Sequence, residues 1–417
     1  MARRCGRPTS SPRCRPPRAG SGRAPITPAA AAGVTEAIAA APADPPTAAV
    51  VDLAAISANV ATLRRRTTAA LMAVVKADAY GHGLVPAARA ALGGGAPRLA
   101  TAFVDEALAL RAAGVDVPIL ALILRSGESR LGAAIAADVE VSVGGPAALD
   151  AVLAAVRTSG VAAAIHLEVD TGLSRGGARA DGWAAIVDSA ARAVAEGAVR
   201  VVGVWSHLAC ADQPEHPANA MQLAAYRDAL DTARRHGVVP QIRHLANSGG
   251  LLALPDTHFD AVRAGIAVYG LAPGPAVPAA GLTPAMTLVS RLALTKEVPA
   301  GAGVSYGLTH RTASATRLAV IPVGYGDGVP RQASNRAEVC IDGVRHPIVG
   351  RVCMDQFVVD TGDHVVDTGD PVVLFGPGRA GEPTADDWAG ATGTIGYEIV
   401  TRIGARVPRV YHGGGTG

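Results

Sequence analysis

The chain has 417 residues, 49% of them hydrophobic and only 3% aromatic, with a formal net charge of +3. That length exceeds what one small core organises and implies two domains. The charge is unevenly placed: residues 1–44 hold seven arginines against Glu36 and Asp44, a local +5, which leaves −2 for the rest and gives no electrostatic case for nucleic-acid binding by the folded part.

Residues 1–45 are rich in Arg, Pro, Ser and Ala without periodicity and are expected to be a disordered leader. The leader has no unbroken apolar core of the secretory kind, and no apolar run in the chain is long enough to span a membrane. The five cysteines, Cys5, Cys14, Cys210, Cys340 and Cys353, form no CxxC pair and no metal-ligand cluster. Free thiols in a reducing cytoplasm, with no metal, are the expectation.

From Ala48 a barrel-type pattern begins. Asp52 is placed to cap a helix with Leu53, Ile56, Val60 and Leu63 at helical spacing and Arg64-Arg65-Arg66 at its end, where cations suit the helix dipole. The apolar run Ala70 to Val75 then leads directly into Lys76, one of only two lysines in the chain, the other being Lys296. Burial lowers an amine's pKa and frees a nucleophile for Schiff-base chemistry, whereas a lysine snorkelling to solvent from a strand end would be ordinary surface charge.

Strand-like runs follow near 99–103, 118–123, 139–143, 161–169, 200–206, 241–246 and 260–263, with helical segments at 84–92, 104–113, 146–157, 182–196 and 217–236 among them. Eight strands alternating with helices predict a closed (β/α)₈ barrel of the TIM type over residues 46–282, since parallel strands need helical crossovers and closure removes sheet edges. The rival is an open doubly wound sheet, disfavoured because no G-x-G-x-x-G follows the first strand. Beyond residue 282 the texture changes to short β-rich runs at 286–297, 317–324, 337–341, 345–349, 356–360 and 371–375, with Asp342-Gly343 as a hairpin turn. These predict a C-terminal, mostly antiparallel β domain over 283–411, then a flexible tail at 412–417.

In such a barrel, reacting groups sit at the carboxyl ends of the strands. Lys76 and Tyr80 follow the first strand, Arg175 the fifth, His207 the sixth, Asn247 and Ser248 the seventh, and Arg263, Gly265 and Ile266 the eighth. The hydroxyl and backbone N–H groups after strands seven and eight suit a phosphate. Phosphate cradle, buried lysine and a flat histidine together point to pyridoxal 5′-phosphate.

The runs VVKADAYGHG, VDTGLSRGG, WSHLACAD, ANSGG, VRAGIAVYGL, GVSYG, GYGDG, GRVCMDQ and TIGYE…RVPR resemble, in order, the motifs of the alanine racemase family, which pairs a barrel with a β domain and uses pyridoxal phosphate. The resemblance covers roughly residues 48–411. It implies interconversion of L- and D-alanine by two bases, Lys76 and a Tyr306 contributed by the partner of a homodimer, supplying D-alanine for peptidoglycan. It further implies that Tyr80, Asn247, Ser248, Gly265, Ile266 and Tyr397 surround the cofactor phosphate, that His207 lies against the ring, and that Arg263 faces its nitrogen. Arg175 would meet the cofactor's phenolic oxygen and favour the ionised form of Tyr306. Met354, also from the partner, and Tyr325 would meet the substrate carboxylate. Two facing bases are the simplest way to remove a proton from one face of a stereocentre and return one to the other.

Glu168 stands where many members have a carbamylated lysine and is expected to supply the same negative charge to Arg175. Gly249, Gly326 and Gly396 replace the usual alanine, alanine and asparagine, which predicts looser contacts there. The alternatives are a basic amino-acid decarboxylase, which Arg263 disfavours, a broader racemase, and a cofactor-binding protein without activity, which the β domain disfavours.

Overall fold

The structure, a computed structural model, describes residues 35–414; the expectations for residues 1–34 and 415–417 lie outside the described residues. The first strand, β1 (Ala48–Asp52), leads straight into a helix, Leu53–Arg64, whose cap is as expected: the Asp52 carboxylate accepts from Ala55 N at 2.9 Å. Eight parallel strands follow: β2 (Ala70–Val74), β3 (Arg98–Thr101), β4 (Ile119–Ala121), β5 (Val139–Val143), β6 (Ala163–Glu168), β7 (Val199–Trp205), β8 (Ile242–His244) and β9 (Ala261–Ala264).

Their order, β8-β7-β6-β5-β4-β3-β2-β9, is that of a rolled-up sheet. β8 and β9 meet through two backbone bonds, Asp260 N to Arg243 O at 3.0 Å and Arg263 N to Ala246 O at 2.9 Å, so the barrel is nearly closed. Helices cover the outside, which explains why these strands read as continuous apolar runs: both faces are buried. The register puts Met72 beside Arg263 and aligns Glu168, Trp205 and His244 across β6, β7 and β8. Residues from distant parts of the sequence thereby meet at one end of the barrel.

The C-terminal sheet holds six strands in the order Val344–Pro347, Glu338–Ile341, Pro371–Phe375, Met286–Arg291, β1 and Arg409–His412. The Asp342-Gly343 hairpin is present, with both turn residues at positive φ, as a tight primed turn requires. A second antiparallel sheet joins Leu294–Val298, Thr316–Ile321 and Phe357–Gly362.

Two sequence expectations need correction. β1 was assigned to the barrel region 46–282 but pairs antiparallel with Met286–Arg291 and parallel with Arg409–His412; Val50 and Val51 are apolar to both sides because the strand is internal to the C-terminal sheet. The predicted disorder fails from residue 35 on: residues 35–40 are helical and Ala37 is buried against Val50, Val289 and Val373. The β domain also contains two short helices, Ala385–Thr392, capped by Thr384 and Asp387, and Gly396–Thr401. Among the described residues no helix is long and apolar enough to cross a membrane.

Candidate active site

The carboxyl ends of the barrel strands open onto a cavity of about 610 Å³. Lys76, Tyr80, Glu168, Arg175 and His207 line it, and so do Asn247, Ser248, Arg263, Gly265, Ile266 and Tyr397. The structure therefore gathers into one space every cofactor-site residue read from the sequence.

Lys76 enters from the end of β2. Burial lowers its amine pKa, the nearby cations Arg175 and Arg263 lower it further, and Glu106 opposes them. The residues after it are unusual: Ala77, Asp78, Ala79 and Tyr80 all have φ between 52° and 54°, forming a left-handed turn of non-glycine residues. Such a conformation costs of order 1–2 kcal/mol per residue, so surrounding groups must hold it. Ala77 N donates to Glu106 at 2.7 Å, Leu84 N donates to Asp78 at 2.7 Å, and Gly81, itself at φ 81°, closes the turn with a bond to Ala77 O.

Opposite the lysine lies an anion cradle. Asn247 caps the helix Ser248–Ala253 by accepting from Gly250 N at 3.0 Å, while the Ser248 hydroxyl oxygen accepts from Gly265 N at 2.9 Å. The Tyr80 hydroxyl occupies the space a Cβ on residue 265 would need, so glycine is required there. The N–H groups of Ser248 and Ile266 have no acceptor among the described residues and border the cavity. Tyr397 sits with its ring centroid 6.2 Å from that of Tyr80.

Arg263 is fully buried without a carboxylate in contact. One terminal nitrogen donates to His244 O at 2.9 Å and His244 Nδ1 at 3.0 Å; the other donates to Ser206 O at 2.7 Å, Leu245 O at 3.1 Å and His207 Nδ1 at 3.2 Å. Its guanidinium lies 4.7 Å from the Trp205 ring centroid, a favourable cation–π contact. Its Nε has no protein partner among the described residues. Burial brings even this guanidinium down to about 10. His207, buried beside two arginines, is held well below its ordinary value and is neutral.

Tyr306, Met354 and Tyr325 do not line this cavity. They belong to loops of the β domain and are 70%, 53% and 43% exposed, with Leu308 beside them at 51%. Their loops are nonetheless ordered by mutual bonds: Tyr325 N to Cys353 O at 3.0 Å, Gly326 N to Met354 O at 2.8 Å, and Ser305 Oγ to Arg351 O at 2.6 Å.

The family models for the alanine racemase N-terminal and C-terminal domains match residues 51–273 and 285–411. Curated alanine racemases from Frankia casuarinae and Thermobifida fusca are each 56% identical, over 87% of this chain and 95% and 97% of their own lengths. Among solved structures, alanine racemase from a D-cycloserine-producing Streptomyces lavendulae superposes with a TM-score of 0.87 at 53% identity, covering 88% of this chain and 97% of that one. The Streptomyces coelicolor enzyme gives 0.87 at 51% identity, covering 88% and 98%. The chain belongs to the alanine racemase family.

As a member of the alanine racemases it is an isomerase, and the rest of its site departs from expectation in two places. Glu168 and Arg175 both border the cavity, yet no ion pair joins them among the described residues. Burial raises the Glu168 carboxyl to about 7, against the pull of Arg263 and Arg175. The three unexpected glycines are not loosely packed either. A Cβ on Gly249 would lie 2.6 Å from Ala211 O, and one on Gly326 would lie 2.7 Å from the Arg406 guanidinium, which is held by Asp327 and Asp355. Gly396 faces the Asp386 carboxylate in the same way.

Sequence reasoning missed a buried polar chain beneath Arg263. His244 Nε2 bonds to His166 Nδ1 at 2.9 Å, His166 Nε2 bonds to Glu140 at 2.8 Å, and Glu140 pairs with Arg98. The ends fix the tautomers. His244 accepts from Arg263 on Nδ1, so it donates from Nε2; His166 accepts that proton and donates to the carboxylate. The carboxylate is the counter-charge of Arg98, and through two imidazoles it fixes which nitrogen of His244 faces Arg263. Gly203 makes room for the His166 ring, which a Cβ would overlap. The signal was present in VEVSV, AAIHLE and IRH, where Glu140, His166 and His244 put titratable side chains into strands of the barrel.

Proposed function

We propose that the protein interconverts L- and D-alanine with bound pyridoxal 5′-phosphate, using Lys76 and the Tyr306 of a second copy as facing bases. The carrying observation is the cavity itself. It joins a pKa-lowered amine, a cradle of unpaired N–H groups with a tyrosine hydroxyl, and an arginine whose Nε has no protein partner. These donors fit the cofactor: the cradle suits its phosphate, Lys76 its aldehyde carbon and Arg263 its ring nitrogen. When bound, the cofactor withdraws electrons from the substrate and weakens the Cα–H bond.

The rest is supplied by the chain. Lys76 Nζ, whose hold on its proton burial weakens, takes or returns a proton on one face. Tyr306 Oη does the same on the other. Arg263 holds its proton and so keeps the ring a modest electron sink, which restrains side reactions. Arg175 contributes positive charge beside Lys76, on the side of the cavity that an approaching Tyr306 would meet. Met354 N, which has no acceptor among the described residues, receives the substrate carboxylate with Tyr325 at its side.

A single chain leaves Tyr306, Leu308, Tyr325 and Met354 exposed together, an apolar patch of the kind that marks an interface. This supports a homodimer in which each β domain completes the other's cavity. D-alanine made in the cytoplasm would feed peptidoglycan synthesis. The test is incubation of the reconstituted enzyme with each alanine enantiomer in deuterated water. The reading predicts deuterium at Cα together with formation of the opposite enantiomer from both directions; exchange without inversion would overturn it.

A further inference from the structure

We propose that His82 and Arg409 are positioning residues for Lys76, together locking the left-handed turn that carries the lysine at one end and Tyr80 at the other. The inference rests on the reading of Lys76 as the cofactor lysine.

The turn spans four consecutive non-glycine residues at positive φ, a conformation L-residues leave unless held. His82 is fully buried, and its Nδ1 lies 3.0 Å from both Ala79 O and Tyr80 O. Both partners are carbonyls, so the ring proton is on Nδ1 and is shared between two carbonyls of the turn. The other ring nitrogen, Nε2, is buried with no partner. Leaving a buried nitrogen unpaired is unfavourable, and a side chain serving only to fill space would not carry one. Burial also brings His82 down to about 4, so the ring is neutral at neutral pH, and the two carbonyls keep its one proton on Nδ1. The ring stacks on Tyr269 at 4.5 Å, and the Tyr269 hydroxyl donates to Val74 O at 3.0 Å, which anchors the lock to the strand that bears Lys76.

Arg409 acts from the other domain. Its Nε donates to Gly81 O at 3.0 Å, across 328 residues of sequence. Its remaining nitrogens donate to Gly404 O and Val407 O, each at 2.8 Å, and to Ile403 O at 2.6 Å. The guanidinium thus ties the turn to residues 403–409 of the β domain. The position of the Lys76 amine and the Tyr80 hydroxyl depends on a contact between domains as well as on the barrel.

The test is amide hydrogen exchange on the full-length, cofactor-free protein at Ala79, Gly81 and Gly83, whose N–H groups bond to Val75, Ala77 and Asp78 within the turn. His82→Leu and Arg409→Met are each expected to speed exchange there by roughly 10- to 100-fold, the range set by losing a hydrogen bond to a buried or charged partner. His82→Asn, whose amide can replace the Nδ1 donor, should restore protection. Val400→Ala, a buried neighbour of the turn whose side chain makes no bond to it, should leave exchange there unchanged. On loading with pyridoxal phosphate, His82→Leu should weaken cofactor affinity by a similar factor while Val400→Ala does not. Unchanged exchange in His82→Leu and Arg409→Met, or equal loosening by Val400→Ala, would overturn the proposal. Failure of the wild-type chain to take up the cofactor would instead sink the reading of Lys76, because the exchange measurement needs no cofactor.

Discussion

Replacing Glu140 by glutamine removes the charge at the foot of the polar chain while keeping an oxygen to accept from His166. Burial alone would raise this carboxyl, but the hydrogen bond from His166 and the charge and hydrogen bond of Arg98 outweigh that and bring it from 4.5 to about 2. A lowering of that size corresponds to roughly 3 kcal/mol of folding stability. Because the folded value lies below the unfolded one, the contribution is complete above pH 4.5 and is lost as pH falls toward 2. Glu140→Gln should therefore cost roughly 3 kcal/mol at neutral pH and about 2 kcal/mol near pH 3.5. The stranding of Arg98, only 14% exposed, is part of this same loss and fades as Glu140 protonates in the parent. Urea unfolding of the cofactor-free protein at both pH values measures this. A variant as stable as the parent, or a deficit that does not shrink on acidification, would refute the assignment of Glu140 as an ionised, buried carboxylate held by His166 and Arg98.

Glu168 should behave in the opposite sense. Its carboxyl is raised to about 7 by burial, so ionisation weakens the fold progressively from about pH 4.5 to 7; Glu168→Gln should stabilise the protein by about 2–3 kcal/mol at pH 8 and by almost nothing near pH 4.5, as read by paired urea titrations. Tyr306→Phe should slow removal of the proton from L-alanine by orders of magnitude more than from D-alanine in single-direction isotope washout, and equal losses would contradict the two-face assignment. Mixing inactive Lys76→Ala and inactive Tyr306→Phe chains should restore activity to roughly a quarter of the parent value after random re-pairing, since one site of each mixed dimer is intact. No recovery after verified exchange would mean that each site is built from one chain.

The barrel was legible because parallel strands covered on both faces leave unbroken apolar runs, and because helices such as Pro217–Arg235 separate them with clear ends. β1 was not, since a strand internal to the second sheet looks the same as a barrel strand and runs without a loop into a barrel helix. Residues around the cavity were found through motifs at strand ends. Glu140, His166 and His244 escaped because they lie within strands, where one polar residue has no meaning until the register brings three together. The left-handed turn was also hidden. Of Ala77-Asp78-Ala79-Tyr80 only the aspartate tolerates positive φ readily; contacts from Glu106, His82 and Arg409 hold the rest there.

The two lysines make the central claim open to a direct measurement. Borohydride reduction of the protein after incubation with pyridoxal phosphate, followed by peptide mapping, should place a stable pyridoxyl group on Lys76 and leave Lys296, a strand residue of the β domain, unmodified. Modification of Lys296 alone, or no modification at all, would contradict the account.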